Sequence, residues 1–128
     1  MRLLLDTHAL LWFLENDPQL STSAKAAVED AGNERWVSVA SGWEMVIKAD
    51  LGKLRLPLPF NDLFPGKLEA LGFSILPIWP KHLHALQGMP RHHGDPFDRM
   101  LVAQAISEGL TVLGADSAFD AYRVTRLW

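Results

Sequence analysis

Four acidic residues, Asp6, Glu44, Asp98 and Asp116, lie far apart along a chain of 128 residues. Each falls just past a predicted strand or in the opening turn of a predicted helix. Carboxylates gathered in one pocket repel each other, and a divalent cation relieves that repulsion. Phosphodiester hydrolysis needs charge stabilisation on the scissile phosphate and an activated water, and carboxylate-held Mg²⁺ or Mn²⁺ supplies both. The chain has no cysteine, which excludes disulfides, thiolate nucleophiles and cysteine-bound zinc or iron–sulfur centres. Any metal is then held by oxygen or imidazole. Mg²⁺ takes oxygen ligands and usually keeps several waters, so a few carboxylates suffice, for one ion or two.

Each acid also has a plainer reading. Glu44 can close a capping box with Ser41. Asp98, three residues after Asp95, can support that residue's cap or complement the helix dipole. Asp116 alone reads as a turn or cap residue. Asp6 resists such a reading, because a carboxylate at the end of a buried apolar strand is costly unless something binds it. The joint placement of the four carries the argument.

That placement depends on the elements. Leu3–Leu5 reads as a buried strand that delivers Asp6 to its C-terminal end, followed by an apolar helix over His8–Leu14 that stops near Asn16-Asp17-Pro18. Ser21-Thr22-Ser23 caps a second helix running to about Ala31, and Trp36–Val39 is the second strand. Ser41 is expected as the N-cap of a third helix ending near Leu51-Gly52. A helix from about Asn61 to Leu71 is interrupted by Pro65-Gly66, and Phe73–Leu76 is the third strand. Pro80–Gln87 is a short helix. Asp95-Pro96 sets a cap residue ahead of proline at the first position of a helix running to about Glu108, which Gly109 closes. Thr111–Leu113 is the fourth strand, a helical turn surrounds Phe119, and Val124–Leu127 is an edge strand. Alternating strands and helices imply a mainly parallel sheet of four to five strands, covered on both faces as a three-layer α/β/α domain. Right-handed crossovers then put all strand C-terminal ends, where ligands bind, on one edge.

The whole chain is expected to be one domain, residues 1–128, since this length builds one core and not two. With 48% hydrophobic and 21% charged residues the composition is globular. The first apolar run is too short for a signal peptide's core and no run approaches a membrane span, so no membrane association and a cytoplasmic location are expected. The net charge of −3 does not decide the substrate, because four clustered acids leave the remaining surface close to neutral.

Leu5-Asp6-Thr7-His8-Ala9-Leu10-Leu11-Trp12, Ser41-Gly42-Trp43-Glu44-Met45-Val46-Ile47-Lys48 with Leu51-Gly52-Lys53-Leu54, and Asp95-Pro96-Phe97-Asp98-Arg99-Met100-Leu101-Val102-Ala103-Gln104-Ala105 together resemble PIN-domain proteins of the VapC toxin type, over essentially the whole chain. The resemblance implies a PIN-like α/β/α domain acting as a Mg²⁺- or Mn²⁺-dependent endoribonuclease. It also implies the toxin role of a toxin–antitoxin pair, with RNA as substrate, a cognate antitoxin as partner and a homodimer as expected assembly. By position, Asp6, Glu44, Asp98 and Asp116 match the family's acidic quartet, with Asp6 and Asp98 the firmest metal ligands and Glu44 and Asp116 completing the site or positioning the water. Thr7 is expected to bond a metal-bound water or the phosphate, or else to cap its helix. Two departures stand out: Gly114, where many relatives carry Ser or Thr, and Gly94, where many carry Arg. They bear on substrate grip more than on chemistry.

Further residues are assigned to substrate contact with less support. Lys48, one turn beyond Glu44, either pairs with it or reaches phosphate. His92 and His93 precede the Asp98 helix, and Arg99 and Arg91 lie near the acid edge. His82, His84, His92 and His93 suggest zinc, but His82 and His84 are two apart on a helix and diverge. Of the five tryptophans, Trp12 and Trp43 are placed to pack or to line a groove for an antitoxin segment. Two other functions compete. A metal-dependent phosphatase using Asp6 as nucleophile usually needs a second Asp two residues on, where this chain has His8, or a neighbouring acid pair and a strand-end Lys. A non-catalytic PIN-like RNA-binding module has no need of all four acids.

Overall fold

The computed structural model describes residues 1–92 and 94–128. Five parallel strands run in the order β3-β2-β1-β4-β5, namely β1 (Arg2–Leu5), β2 (Glu34–Ser38), β3 (Ser74–Leu76), β4 (Thr111–Leu113) and β5 (Arg126–Leu127). β1 is central, pairing Leu5 with Val37 of β2 on one side and with Leu113 of β4 on the other. Its leucines alternate between faces, as a strand's two-residue period requires. Leu3 and Leu5 point into a core with Leu10, Leu11, Ala24, Val28, Met45, Leu63, Leu68 and Phe73, while Leu4 packs with Leu101, Val102, Ala105, Val112 and Phe119. All three leucines are fully buried, each stabilising the fold by about 1.5–3 kcal/mol.

The first face is covered by α1 (Thr7–Leu14), α2 (Thr22–Glu29), α3 (Val39–Asp50), and the short α4 (Phe60–Asp62) and α5 (Leu68–Ala70). The second is covered by α6 (Pro80–Gln87) and α7 (Pro96–Glu108), with a 3₁₀ turn over Ser117–Ala121. This is the expected three-layer arrangement. The chain moves outward from β1 to β2 to β3, then crosses back to β4 on the opposite side of β1, so the strand order reverses between β1 and β4. A crevice opens at such a reversal, beyond the strand ends.

Local differences from the sequence expectations have local causes. α3 begins at Val39, capped by Ser38, whose side chain accepts from Ala40 N–H. Ser41 therefore lies within the helix, and Glu44 is in its second turn without a capping box. The helix expected from Asn61 to Leu71 is broken, with non-helical backbone at Phe64 just ahead of Pro65. α7 keeps its expected limits: Asp95 accepts from the N–H groups of Phe97 and Asp98, Pro96 starts the helix, and Gly109 ends it at φ +69°, a left-handed conformation that favours glycine. No helix among the described residues is long and apolar enough to cross a membrane.

Candidate active site

Asp6 follows β1 directly and caps α1, its Oδ1 accepting Ala9 N–H at 2.7 Å. Asp6 N–H in turn donates to Leu113 O across the crevice. The side chain is only 7% exposed. Its second oxygen, Oδ2, lies against Gly114 and has no donor among the described residues; a Cβ at position 114 would stand 2.6 Å from it. Burial raises the Asp6 pKa to about 6; the Ala9 N–H and nearby His8 pull it down, and the charges of Glu44 and Asp116 push it up.

Asp98 sits in the first turn of α7, where Asp95 has already taken the cap. Its pKa is raised to about 7, first by burial and then by the charges of Asp95, Asp6, Glu44 and Asp116. Asp6 and Asp98 thus each feel the other acids, so the topology does gather four distant residues at one edge. Asp116, exposed beyond β4, accepts Ala118 N–H and caps the 3₁₀ turn, joining the site while also filling the turn role its type suggests.

Glu44 differs from the other acids. It is 3% exposed, with Oε1 accepting the Thr7 hydroxyl at 2.5 Å and Oε2 accepting the Lys48 ammonium at 2.5 Å. That hydrogen bond, and the charges of Asp95 and Asp98, raise the Lys48 pKa despite an opposing desolvation effect. Thr7 neither caps a helix nor faces outward; Asp6 is the cap, and the buried Thr7 hydroxyl is committed to Glu44. The Lys48 pair is not the ordinary surface pair its i,i+4 spacing suggests, because its carboxylate is buried.

Among the described residues, no three acidic or imidazole side chains already converge on one point as a closed cage. Three of the acids have named local partners: Asp6 is held by α1, Glu44 by Thr7 and Lys48, and Asp116 by its own turn. The donor set nevertheless fits a hard divalent cation. It is all carboxylate, burial and mutual repulsion raise the pKa of two members to about 6 and about 7, and Oδ2 of Asp6 lies against Gly114 at the crevice.

The other sequence-assigned residues fall into different places. Arg99 turns inward; it is buried, and its guanidinium donates to Pro90 O at 2.9 Å and to the Tyr122 hydroxyl at 3.3 Å, so it braces the segment before α7 and is not presented to substrate. His92 is exposed, with its ring edge-on to Tyr122 at 4.9 Å. His93 lies outside the described residues. His82 is fully buried: Nδ1 accepts Trp79 N–H and Nε2 meets Glu108 Oε1, each at 2.9 Å, tying α6 to α7, while His84 is exposed. Trp12 packs between His8 and Trp128. Trp43 is 57% exposed and edge-on to Phe97 at 5.1 Å, beside both Glu44 and Asp98.

Gly114 escaped sequence reasoning as a positive feature. It reads there as a lost hydroxyl, whereas in three dimensions it is the space into which the Asp6 carboxylate fits.

The PIN domain profile matches residues 3–124. The ribonuclease VapC22 of Mycobacterium tuberculosis is 27% identical over 124 residues, covering 96% of this chain and 93% of the relative. The ribonuclease VapC16 of the same organism is 35% identical over 71 residues, covering 52% of this chain and 49% of that protein. Among solved structures, VapBC2 from Rickettsia felis, bound to a DNA fragment from its promoter, superposes with a TM-score of 0.71 at 12% identity, over 100% of this chain and 99% of that one. FitAcB from Neisseria gonorrhoeae superposes with a TM-score of 0.64 at 20% identity, over 98% of this chain and 96% of that one. At such identities the structural likeness speaks for the fold.

Proposed function

Because this chain belongs to the PIN-domain family, we propose that it is a divalent-metal-dependent endoribonuclease, the toxin of a toxin–antitoxin pair. The observation that carries this reading is the pairing of Asp6 and Asp98, a buried and a half-buried carboxylate from different elements that feel each other and the remaining acids at the crevice where strand order reverses. Full-length similarity to a protein described as a ribonuclease supports RNA as the substrate.

In this reading Asp6 and Asp98 hold Mg²⁺ or Mn²⁺, with Glu44 and Asp116 completing the site or orienting the attacking water. The bound ion supplies charge stabilisation at the scissile phosphate and a water acidic enough to attack it. The chain's own groups do the positioning. Ala9 N–H fixes the Asp6 carboxylate so that Oδ2 points over Gly114, Asp95 caps α7 so that Asp98 is held in the first turn, and Thr7 fixes Glu44. Such fixation matters because a misplacement of about 1 Å can reduce rate by about a hundredfold.

Partnership with a small antitoxin is part of the proposal, supported by the VapBC and FitAB assemblies named for the similar folds. The exposed face formed by Val39, Trp43 and Val46, continuous with Phe60 and Phe64, suits an apolar segment of such a partner. We place the protein in the cytoplasm as a homodimer of single-domain chains.

The test is RNA cleavage by the purified protein with Mg²⁺ or Mn²⁺, and with Asp6→Asn and Asp98→Asn. Cleavage is expected to require metal and to vanish in both variants while their folded spectra persist; undiminished cleavage in excess chelator overturns the mechanism. Expression is expected to arrest growth unless the antitoxin is co-expressed, and harmless expression of active enzyme contradicts the toxin role.

A further inference from the structure

Both oxygens of Glu44 are taken by side chains of the protein, the Thr7 hydroxyl on Oε1 and the Lys48 ammonium on Oε2. The Glu44 side chain is 4% exposed and that of Lys48 31%. Lys48 therefore reaches from the flank of α3 into the pocket along its flexible stem and leaves part of that stem in water. A buried carboxylate deprived of its cationic partner is strongly unfavourable, so this ammonium is a built-in counter-ion. Asp95 and Asp98 also act on it by charge, which places it within the acidic pocket rather than on a remote rim. Asp6 presents the opposite condition. The residue is 7% exposed, and its Oδ2 lies against Gly114 with no donor among the described residues.

A divalent ion held by Asp6 and Asp98, with Glu44 completing the site, would lie next to Lys48. A monovalent and a divalent cation a few ångströms apart repel strongly at the dielectric of a partly buried site, and the long lysine stem is the part free to yield. We propose that Lys48 and the divalent ion compete for Oε2 of Glu44, so that Lys48 neutralises this carboxylate when the ion is absent, withdraws when it binds, and thereby sets the metal concentration the protein requires. Thr7, on the other oxygen, keeps the carboxylate oriented through the exchange. Lys48 is a positioning residue in this scheme, and the scheme rests on the metal-dependent reading of the site.

Titration calorimetry with Mn²⁺, on the intact protein without RNA, tests the exchange. Lys48→Met is expected to bind Mn²⁺ about tenfold more tightly than the wild type, the order expected for removing one neighbouring charge at a partly exposed site. Lys48→Arg keeps the charge and is expected to bind like the wild type. In a Glu44→Gln background the gain from Lys48→Met should disappear, because the shared oxygen is no longer charged. Melting supplies a second readout: metal-free Lys48→Met is expected to melt below the wild type and to gain more on adding Mn²⁺. Unchanged or weaker binding by Lys48→Met overturns the proposal, as does a gain that persists with Glu44→Gln, which would mean repulsion through space without exchange. If the wild type binds no divalent ion at all, the metal-dependent reading fails, and the exchange fails with it.

Discussion

Gly114 and Asp6 share one space: the Cβ of any larger residue at position 114 would fall 2.6 Å from Oδ2 of Asp6 and 3.4 Å from the Phe119 ring. The carboxylate cannot simply swing aside, because Oδ1 is fixed by Ala9 N–H and the side chain is buried.

Gly114→Ala is therefore expected to displace Asp6 more than it unfolds the protein. Overpacking of this kind costs about 1–3 kcal/mol, whereas moving the carboxylate should lower the rate of RNA cleavage by tenfold or more, in the range seen for small misplacements of a catalytic group. Thermal melting and initial rates on the same preparation separate the two effects. A Gly114→Ala protein as active as the wild type would show that Asp6 does not need this position.

The acidic pair predicts a pH signature. Asp6 and Asp98 titrate at about 6 and about 7 in the folded protein, against about 3.9 for an unperturbed aspartate. Between these values the native state holds protons that the unfolded chain has released, so the contribution of both groups to stability is greatest at about pH 4 and is lost as pH rises to about 7. For Asp6 the loss is on the order of 2–3 kcal/mol. Asp98 is more open and adds less after solvent screening. Asp6→Asn should flatten this part of the metal-free profile relative to the wild type, and Mn²⁺ at pH 7 should restore stability to the wild type but not to the variant. Superimposable wild-type and variant profiles between pH 4 and 7 would refute the burial argument.

His82 joins α6 to α7 through the Trp79 N–H and Glu108, and Lys81 also reaches Glu108 at 2.8 Å. His82→Ala should lose about 2–4 kcal/mol, from two buried hydrogen bonds and a cavity, with Mn²⁺ affinity unchanged at temperatures where the variant stays folded. A fall in metal affinity larger than the fall in folded fraction would give His82 a role in the site.

How far the sequence could be read depended on what set each feature. The α7 limits were legible because Asp95, Pro96 and Gly109 each force a specific backbone condition. The three leucines of β1 announced a strand buried on both faces. The start of α3 was not legible, because Ser38 and Ser41 are equally good caps and the β-branched Val39 reads as strand. The break at Phe64 was signalled by Pro65-Gly66, but its form was set by packing of Leu63 and Leu68 against the sheet. At the site, the positions of the acids followed from element order alone. The inward turn of Arg99 and the burial of the Glu44–Lys48 pair depend on neighbours distant in sequence, and no local pattern encodes them. Gly114 was visible only as a missing group until Asp6 was seen beside it.

The central place of β1 has a consequence for biosynthesis. β1 is flanked by β2 and by β4, and β4 lies more than a hundred residues later in the chain. The crevice holding Asp6 closes only when Leu113 has been synthesised and docked, and Asp116 comes later still. A nascent chain bearing Asp6, Glu44 and even Asp98 is thus an unfinished site. Such non-local pairing is also slow to form, so the four acids come together only after β4 and the turn that follows it have docked beside β1.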